Sequence, residues 1–309
     1  MNKPKVALMT FGDAREHEWK NLFKGLTEPR HQRIIEYFQN LPIELFSFLE
    51  VARSKDEIDE QVDQLKAKGA TVFLAHIPCW TSPNLVVRGV QGMGLPTALV
   101  SNRDSGTHGT VGLLGAAGAL DQIGYPHLRA REGFDAPTLG EKALPFIRAA
   151  SAVSQLKGQV FGMFGGRSLG IDTGTIDSMQ WRKMFGVDVE HIDQLEIIRR
   201  AEMMGAEDSD KTVSWLEDTV ASVGYDDAKL TREKLEFQTR CYLATRDIIN
   251  ELGLDFVAVK CMPDLTNHYV PQCISAALLP SSFDADGERK PIPMACEADG
   301  DGALTMQIL

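Results

Sequence analysis

The chain opens with an apolar run, Val6 to Met9, between Lys5 and Thr10, which predicts a strand over residues 5–10 buried on both faces. Phe11-Gly12-Asp13 closes it as a turn. From about Glu16 to Asn40 the apolar positions Trp19, Leu22, Phe23, Ile34, Ile35 and Phe38 recur near helical spacing, with Pro29 expected to interrupt the helix. Residues 43–49 alternate in part and predict a strand. Ser54 to Lys68 predicts a helix marked at both ends. Ser54 and Glu57 have capping-box spacing, and Gly69 stands just past the last turn. Thr71 to Ile77 predicts the next strand, Leu95 to Val100 another after a Gly-rich turn, and Gly112 to Leu120 a closely packed Gly/Ala helix. Ala130 to Gly140, which contains Pro137, reads as a loop leading into a helix that ends near Leu156.

At Lys157-Gly158 the rhythm begins again. Val160 to Phe164 predicts a strand running into Gly165-Gly166-Arg167-Ser168-Leu169-Gly170. A helix over 178–185, a strand over 187–191 and a long helix from Thr231 to Glu251, stopped by Gly253, follow. Phe256 to Val259 predicts a strand and Met294-Ala295-Cys296 the end of another, while the charged positions in Asp188–Arg200 read as a solvated helix face. Strand, helix and strand joined by short connections require parallel strands with crossover helices, so the fold class is α/β with doubly wound parallel sheets. The restart divides the chain into domains at 1–157 and 158–309, in keeping with roughly 150 residues per domain. Gly302 to Leu309 reads as the start of an apolar helix with no polar close, so the second domain is expected to continue past Leu309 or to be completed by another element.

Composition narrows the function classes. Hydrophobic residues make up 43% and charged residues 24%, as in soluble globular proteins. The net charge of −11, from 43 acidic against 32 basic residues, disfavours nucleic-acid phosphates and anionic membrane surfaces and leaves a small neutral ligand open. No apolar stretch approaches the roughly 18 residues that a membrane helix needs, and the N-terminus lacks a signal-peptide core. The five cysteines are scattered and contain no CxxC pair, which predicts reduced thiols in a cytoplasmic protein and neither a disulfide framework nor a structural zinc site.

Four segments are candidates for chemistry. Cys296-Glu297-Ala298-Asp299-Gly300-Asp301-Gly302 lies between a strand end and a helix start, where open α/β sheets place ligands. Three carboxylates so close together need a divalent metal or a helix N-terminus to offset them; a solvated loop with an N-capping aspartate accounts for them equally. Phe164 to Gly174 has glycines that let a backbone approach a ligand, yet it matches neither G-x-G-x-x-G nor G-x-x-x-x-G-K-[ST], so a tight structural loop is the stronger reading. His76 to Thr81 carries Trp80, whose ring is either a platform for the C–H face of a sugar or part of its own domain's packing. Asp13, Arg15 and His17 line the same kind of cleft or form a solvated turn. Lys260 to Tyr269 carries His268, a ligand or acid–base candidate beside the plainer alternative of a surface histidine.

Taken in order, Pro78-Cys79-Trp80, Gly165 to Asp172, Cys261 to Tyr269, Ser281-Ser282-Phe283-Asp284 and Ala295 to Asp299 resemble the L-fucose isomerase family and its L-arabinose isomerase relatives, from Pro4 to Leu309. The resemblance implies two Rossmann-like doubly wound domains ahead of a β-rich C-terminal domain. It also implies use of Mn²⁺ or another divalent cation, a sugar substrate and a homo-hexamer. It makes Glu297 the first metal ligand, a role the sequence does not separate from that of catalytic base. It sets Trp80 on the sugar in a neighbouring subunit's site and Arg15 near the sugar hydroxyls, with His268 a further candidate for substrate contact. The family's second acidic ligand and its histidine ligand fall beyond Leu309, so this chain carries part of a site. The implied reaction moves a proton between C1 and C2 of an open-chain sugar through an enediol. A non-catalytic sugar-binding or regulatory protein of the same fold is the alternative, and a nucleotide-dependent oxidoreductase is weakened by the missing fingerprint.

Overall fold

The computed structural model describes residues 3–103, 106–133, 138–226 and 228–309. The chain divides into two compact units, Met1–Gln155 and Leu156–Leu309. Both are α/β units built on a parallel sheet, of five and four strands respectively. Among the described residues no helix is long and apolar enough to cross a membrane.

The first unit runs β1 (Lys5–Thr10), α1 (Glu16–Glu18), a π-helical turn (Trp19–Phe23), α2 (Lys24–Gln39), β2 (Glu44–Ser47), α3 (Lys55–Ala67), β3 (Val72–His76), α4 (Pro83–Met93), β4 (Thr97–Ser101), α5 (Gly109–Gln122), β5 (His127–Arg131) and α6 (Thr138–Leu156). The strand order is β2-β1-β3-β4-β5, with every neighbouring pair parallel. Chain direction across the sheet therefore reverses at β1, and the carboxyl ends of β1 and β3 flank the crevice where such sheets take ligands. One face packs Phe11, Ile58, Phe73, Val90 and Leu120. The other packs Leu8, Ile34, Phe38, Leu74 and Ile147.

Three expectations for this unit need correction. Pro29 does not break its helix: α2 continues through it to Gln39. The proline sits near the helix start, just after the π-helical turn, so the missing N–H costs one bond while Thr27, His31, Ile34 and Phe38 still bury a continuous face. The Gly-rich turn before Leu95 is helix α4. Its glycines are sites of close approach: a β-carbon at Gly89 would lie 2.7 Å from Phe11 Cζ, and one at Gly92 3.2 Å from Val62 Cγ1. The loop expected over 130–140 contains the end of edge strand β5 and the first turn of α6, and Pro137 lies outside the described residues.

Beneath the crevice runs a buried polar chain. Thr10 Oγ1 lies 3.0 Å from His76 Nδ1 and 2.8 Å from His31 Nδ1, and His76 Nε2 lies 3.2 Å from Asn102 Oδ1. Burial, followed by the charges of His31 and Arg30, holds the His76 pKa at about 3 despite the Asn102 hydrogen bond. Burial lowers that of His31 as well.

The second unit runs β6 (Val160–Phe164), a 3-10 turn (Asp172–Gly174), α7 (Ser178–Phe185), β7 (Asp188–Ile192), α8 (Leu195–Met203), α9 (Ala206–Thr219), α10 (Arg232–Leu252), β8 (Phe256–Val259), α11 (Asp264–His268), α12 (Cys273–Leu278), the hairpin β9 (Phe283–Asp284) and β10 (Gly287–Glu288), β11 (Met294–Cys296) and α13 (Gly300–Ile308). The sheet order is β11-β8-β6-β7, all parallel, so the loops after β6, β8 and β11 emerge on one edge. The segment Asp188–Arg200, expected as one helix face, is β7 followed by the start of α8, where Glu196 pairs with Arg199 and Arg200. Helix α10 has both ends fixed: Thr231 accepts from Lys234 N–H, and Gly253 takes the left-handed conformation at φ 63°. Asp284 anchors the hairpin by accepting from the Tyr242 hydroxyl and pairing with Arg246. Burial, then the hydrogen bond to Asp284, pushes the Tyr242 pKa up to about 12.

Two outcomes are expected. Gly89→Ala drives a methyl into the Phe11 ring and lowers stability by about 1–3 kcal/mol in urea unfolding. His76 has a folded pKa below its unfolded value, so its contribution is complete above about pH 6.5 and is lost as pH falls towards 3. Between about pH 7 and pH 5 the loss is on the order of 2 kcal/mol, and equal unfolding midpoints at the two pH values would contradict it.

Candidate functional site

The second unit's site begins where β11 ends. Glu297 and Ala298 both occupy the left-handed region, at φ 57° and 55°. Two successive residues with side chains in that region cost roughly 1–2 kcal/mol each and persist only where the surroundings hold them. Here Ala298 is fully buried and its N–H donates to Val259 O at 3.0 Å. The three neighbouring acids have separate tasks. Asp299 caps α13 by accepting from Gly302 N–H at 2.8 Å, and Asp301 is exposed in the first turn. Glu297 is gripped by loops from two other strands. Its Oε2 accepts from Ser168 Oγ at 2.6 Å and from Met262 N–H at 3.0 Å, and its Oε1 lies 3.2 Å from the same N–H. Burial, then the Glu297 charge, pushes the neighbouring Cys296 thiol up to about 11, so it stays protonated at neutral pH.

The Gly165–Gly174 loop is closed by its own arginine. Arg167 donates to Gly170 O at 2.6 Å and to Ile171 O at 3.2 Å, and pairs with Asp172. These bonds tie the loop to itself, as in a structural loop. Ser168, fully buried, has two acceptors within reach of its one hydrogen, Glu297 Oε2 at 2.6 Å and Met262 O at 2.7 Å, and the carboxylate is the stronger of them. Sequence reading quoted Ser168 within its motif but gave it no role, and Met262 acts through a backbone N–H that no residue type announces.

A carboxylate oxygen is the hard donor that Mn²⁺ accepts, so Glu297 suits such an ion as one ligand. Among the described residues no group of three His, Cys, Asp or Glu could hold a metal. The described residues thus offer one donor of the right kind and no complete set. His268 ends α11, is exposed, and makes no hydrogen bond to Glu297.

In the first unit, Arg15 and Trp80 come together in a cleft of about 420 Å³ lined also by Glu18, Leu22, Phe23, His108 and Val111. Trp80 is half-buried, and its N–H donates to Thr107 O at 2.8 Å. Arg15 is aimed by Asp13, which accepts from its Nε at 3.0 Å and its Nη2 at 2.6 Å. Burial alone would raise the Asp13 pKa, but these hydrogen bonds outweigh it and the net direction is down. His17 bonds Asn21 on an exposed turn. His108 was not anticipated. It occupies the left-handed region at φ 58° ahead of α5, bridges to Cys79 and meets the Phe23 ring edge-on at 6.4 Å. Its place just beyond the carboxyl end of β4 was the available signal. Asp299→Ala is expected to cost about 1 kcal/mol of stability as a lost helix cap; a loss of function at unchanged stability would instead make Asp299 a ligand.

Residues 3–158 match the family described as L-fucose isomerase, first N-terminal domain. The chain is 23% identical over 276 residues to the L-fucose isomerase of Haemophilus influenzae (strain PittEE), covering 79% of this chain and 46% of that protein. It is 26% identical over 276 residues to the L-fucose isomerase of Salmonella paratyphi B, with the same coverage. The chain spans about half the length of the relatives it matches. A solved periplasmic solute-binding protein of an ABC transporter from Actinobacillus succinogenes 130z, with bound D-allose, is 14% identical and covers 86% of this chain and 82% of its own, at a TM-score of 0.24. With half of its residues matched to the family's N-terminal domain and full-length isomerases aligned over most of its length, this chain belongs to the L-fucose isomerase family.

Proposed function

We propose that this chain forms the two N-terminal α/β units of an aldose–ketose isomerase acting on L-fucose, L-arabinose or a related sugar through an enediol, with Mn²⁺ or another divalent cation. The observation that carries the proposal is Glu297: a carboxylate at the carboxyl edge of a parallel sheet, on a left-handed turn, held by donors from two loops. The cation would supply Lewis-acid polarisation of the sugar carbonyl. The chain's own residues bind and orient. Glu297 offers Oε1, Trp80 presents an apolar face to a sugar ring, and Arg15, fixed by Asp13, directs its guanidinium toward hydroxyls. His268, exposed on α11, is proposed as a further substrate contact. In this reading the residues 1–157 serve a neighbouring subunit's site in a homo-hexamer, and residues 158–309 supply part of the metal site.

The alternative is a sugar-binding protein of the same fold without catalysis, which would use the Arg15–Trp80 cleft and need no metal. Incubation of the protein carrying this chain with L-fucose and Mn²⁺ in D₂O, followed by mass analysis of the recovered sugar, separates the two. An isomerase yields ketose and sugar labelled with deuterium from the enediol, and Glu297→Gln yields neither. Sugar binding with neither ketose nor label selects the non-catalytic reading. Trp80→Ala is expected to raise KM about tenfold with kcat little changed, since the ring contributes uniform binding.

A further inference from the structure

We infer that Ser168 is the positioning residue for Glu297, and that the Gly165–Gly174 loop is shaped to hold it there. The inference rests on the reading of Glu297 as a ligand given above. The two oxygens of Glu297 are not equivalent. Oε2 receives two donors, Ser168 Oγ at 2.6 Å and Met262 N at 3.0 Å. Oε1 has only the longer contacts, Met262 N at 3.2 Å and Cys296 Sγ at 3.5 Å. One oxygen is therefore tied to the protein and the other is left to accept a cation or a sugar hydroxyl. Ser168 decides which: Met262 O at 2.7 Å competes for its one hydrogen, the charged Oε2 at 2.6 Å is the stronger acceptor, and of the two Glu297 oxygens Ser168 bonds Oε2 alone. A donor that orients a metal-ligating carboxylate in this way typically controls affinity by 10–100-fold.

The loop fixes Ser168 from both sides. Leu169 and Gly170 follow it at φ 48° and 77°, and Arg167 precedes it with a guanidinium bonded to Gly170 O, Ile171 O and Asp172. The far end of the loop packs on the Glu297 turn itself. A β-carbon at Gly174 would stand 3.2 Å from Ala298 O and 3.3 Å from the Arg167 Cα, so the loop and the turn meet with no room for a side chain. Ser168 has no freedom to follow Glu297 elsewhere. The serine sets the carboxylate, and the loop sets the serine.

The test compares Ser168→Ala, Ser168→Thr and Glu297→Gln in the protein carrying this chain. Mn²⁺ binding is read from the free-ion EPR signal, and the Ser168→Ala crystal structure is solved. Glu297→Gln is expected to abolish binding, Ser168→Ala to weaken it about 10–100-fold, and Ser168→Thr, which keeps the hydroxyl, to bind within about threefold of the parent. In the Ser168→Ala crystals the Glu297 carboxylate is expected to turn away from Met262 N. Loss of binding in Glu297→Gln with parental affinity in Ser168→Ala overturns the positioning role and leaves the ligand reading standing. Unchanged or absent Mn²⁺ binding across the set overturns the ligand reading instead. The Ser168→Ala structure then decides the inference alone: a displaced carboxylate supports it, and an unmoved one overturns it.

Discussion

A backbone that turns left-handed twice in succession has to be held from outside, and the second unit is organised around that need. The turn at Glu297 and Ala298 is stabilised by a strand-end carbonyl, Val259 O, and by the packing of Gly174 against Ala298. The side chain it presents is then fixed by one hydroxyl and one N–H from the loops after β6 and β8. A parallel sheet with its loops on one edge is the architecture that lets three distant segments converge in this way. The strain is local; its support comes from the whole edge of the sheet.

The first unit solves a related problem with charge in place of backbone. Arg15 extends from a short turn after β1, and an arginine there would sample many rotamers. Asp13, whose side chain is entirely buried, receives two of its N–H groups and reduces that freedom. The Trp80 main chain is held by its N–H, which donates to Thr107 O. The cleft is thus assembled from a partly ordered cation and an aromatic side chain on a held stretch of main chain.

Much of the fold was legible because the signals were local. The strands β1, β6 and β8 are apolar runs, α3 carries its capping box at Ser54 and Glu57, and α10 ends at Gly253. The failures share one cause, which is that the deciding partner is remote in sequence. Gly89 and Gly92 read as a turn because nothing nearby reveals Phe11 and Val62 pressed against them. The end of strand β5 reads as loop because, at the sheet's edge, most of its side chains need not be apolar. Helix α9, with acidic residues at both ends, buries only Ser209, Thr212 and Val213 and leaves a faint pattern. At the site, Glu297 was reachable through resemblance, and local spacing alone left it level with Asp299. Ser168 stands 129 residues from the carboxylate it holds.

The chain of Asn102, His76, Thr10 and His31 has a consequence of a different kind. A hydroxyl owns a single hydrogen, yet Thr10 Oγ1 faces two imidazole Nδ1 atoms. It gives its hydrogen to one ring and must receive one from the other, so the two histidines are obliged to be opposite tautomers. With Asn102 Oδ1 accepting from His76 Nε2, His76 takes the Thr10 hydrogen and His31 supplies its own. A change in the orientation of the Asn102 amide would therefore reverse every hydrogen along the row. The orientation of a single amide at the end of β4 is read out three side chains away, inside helix α2.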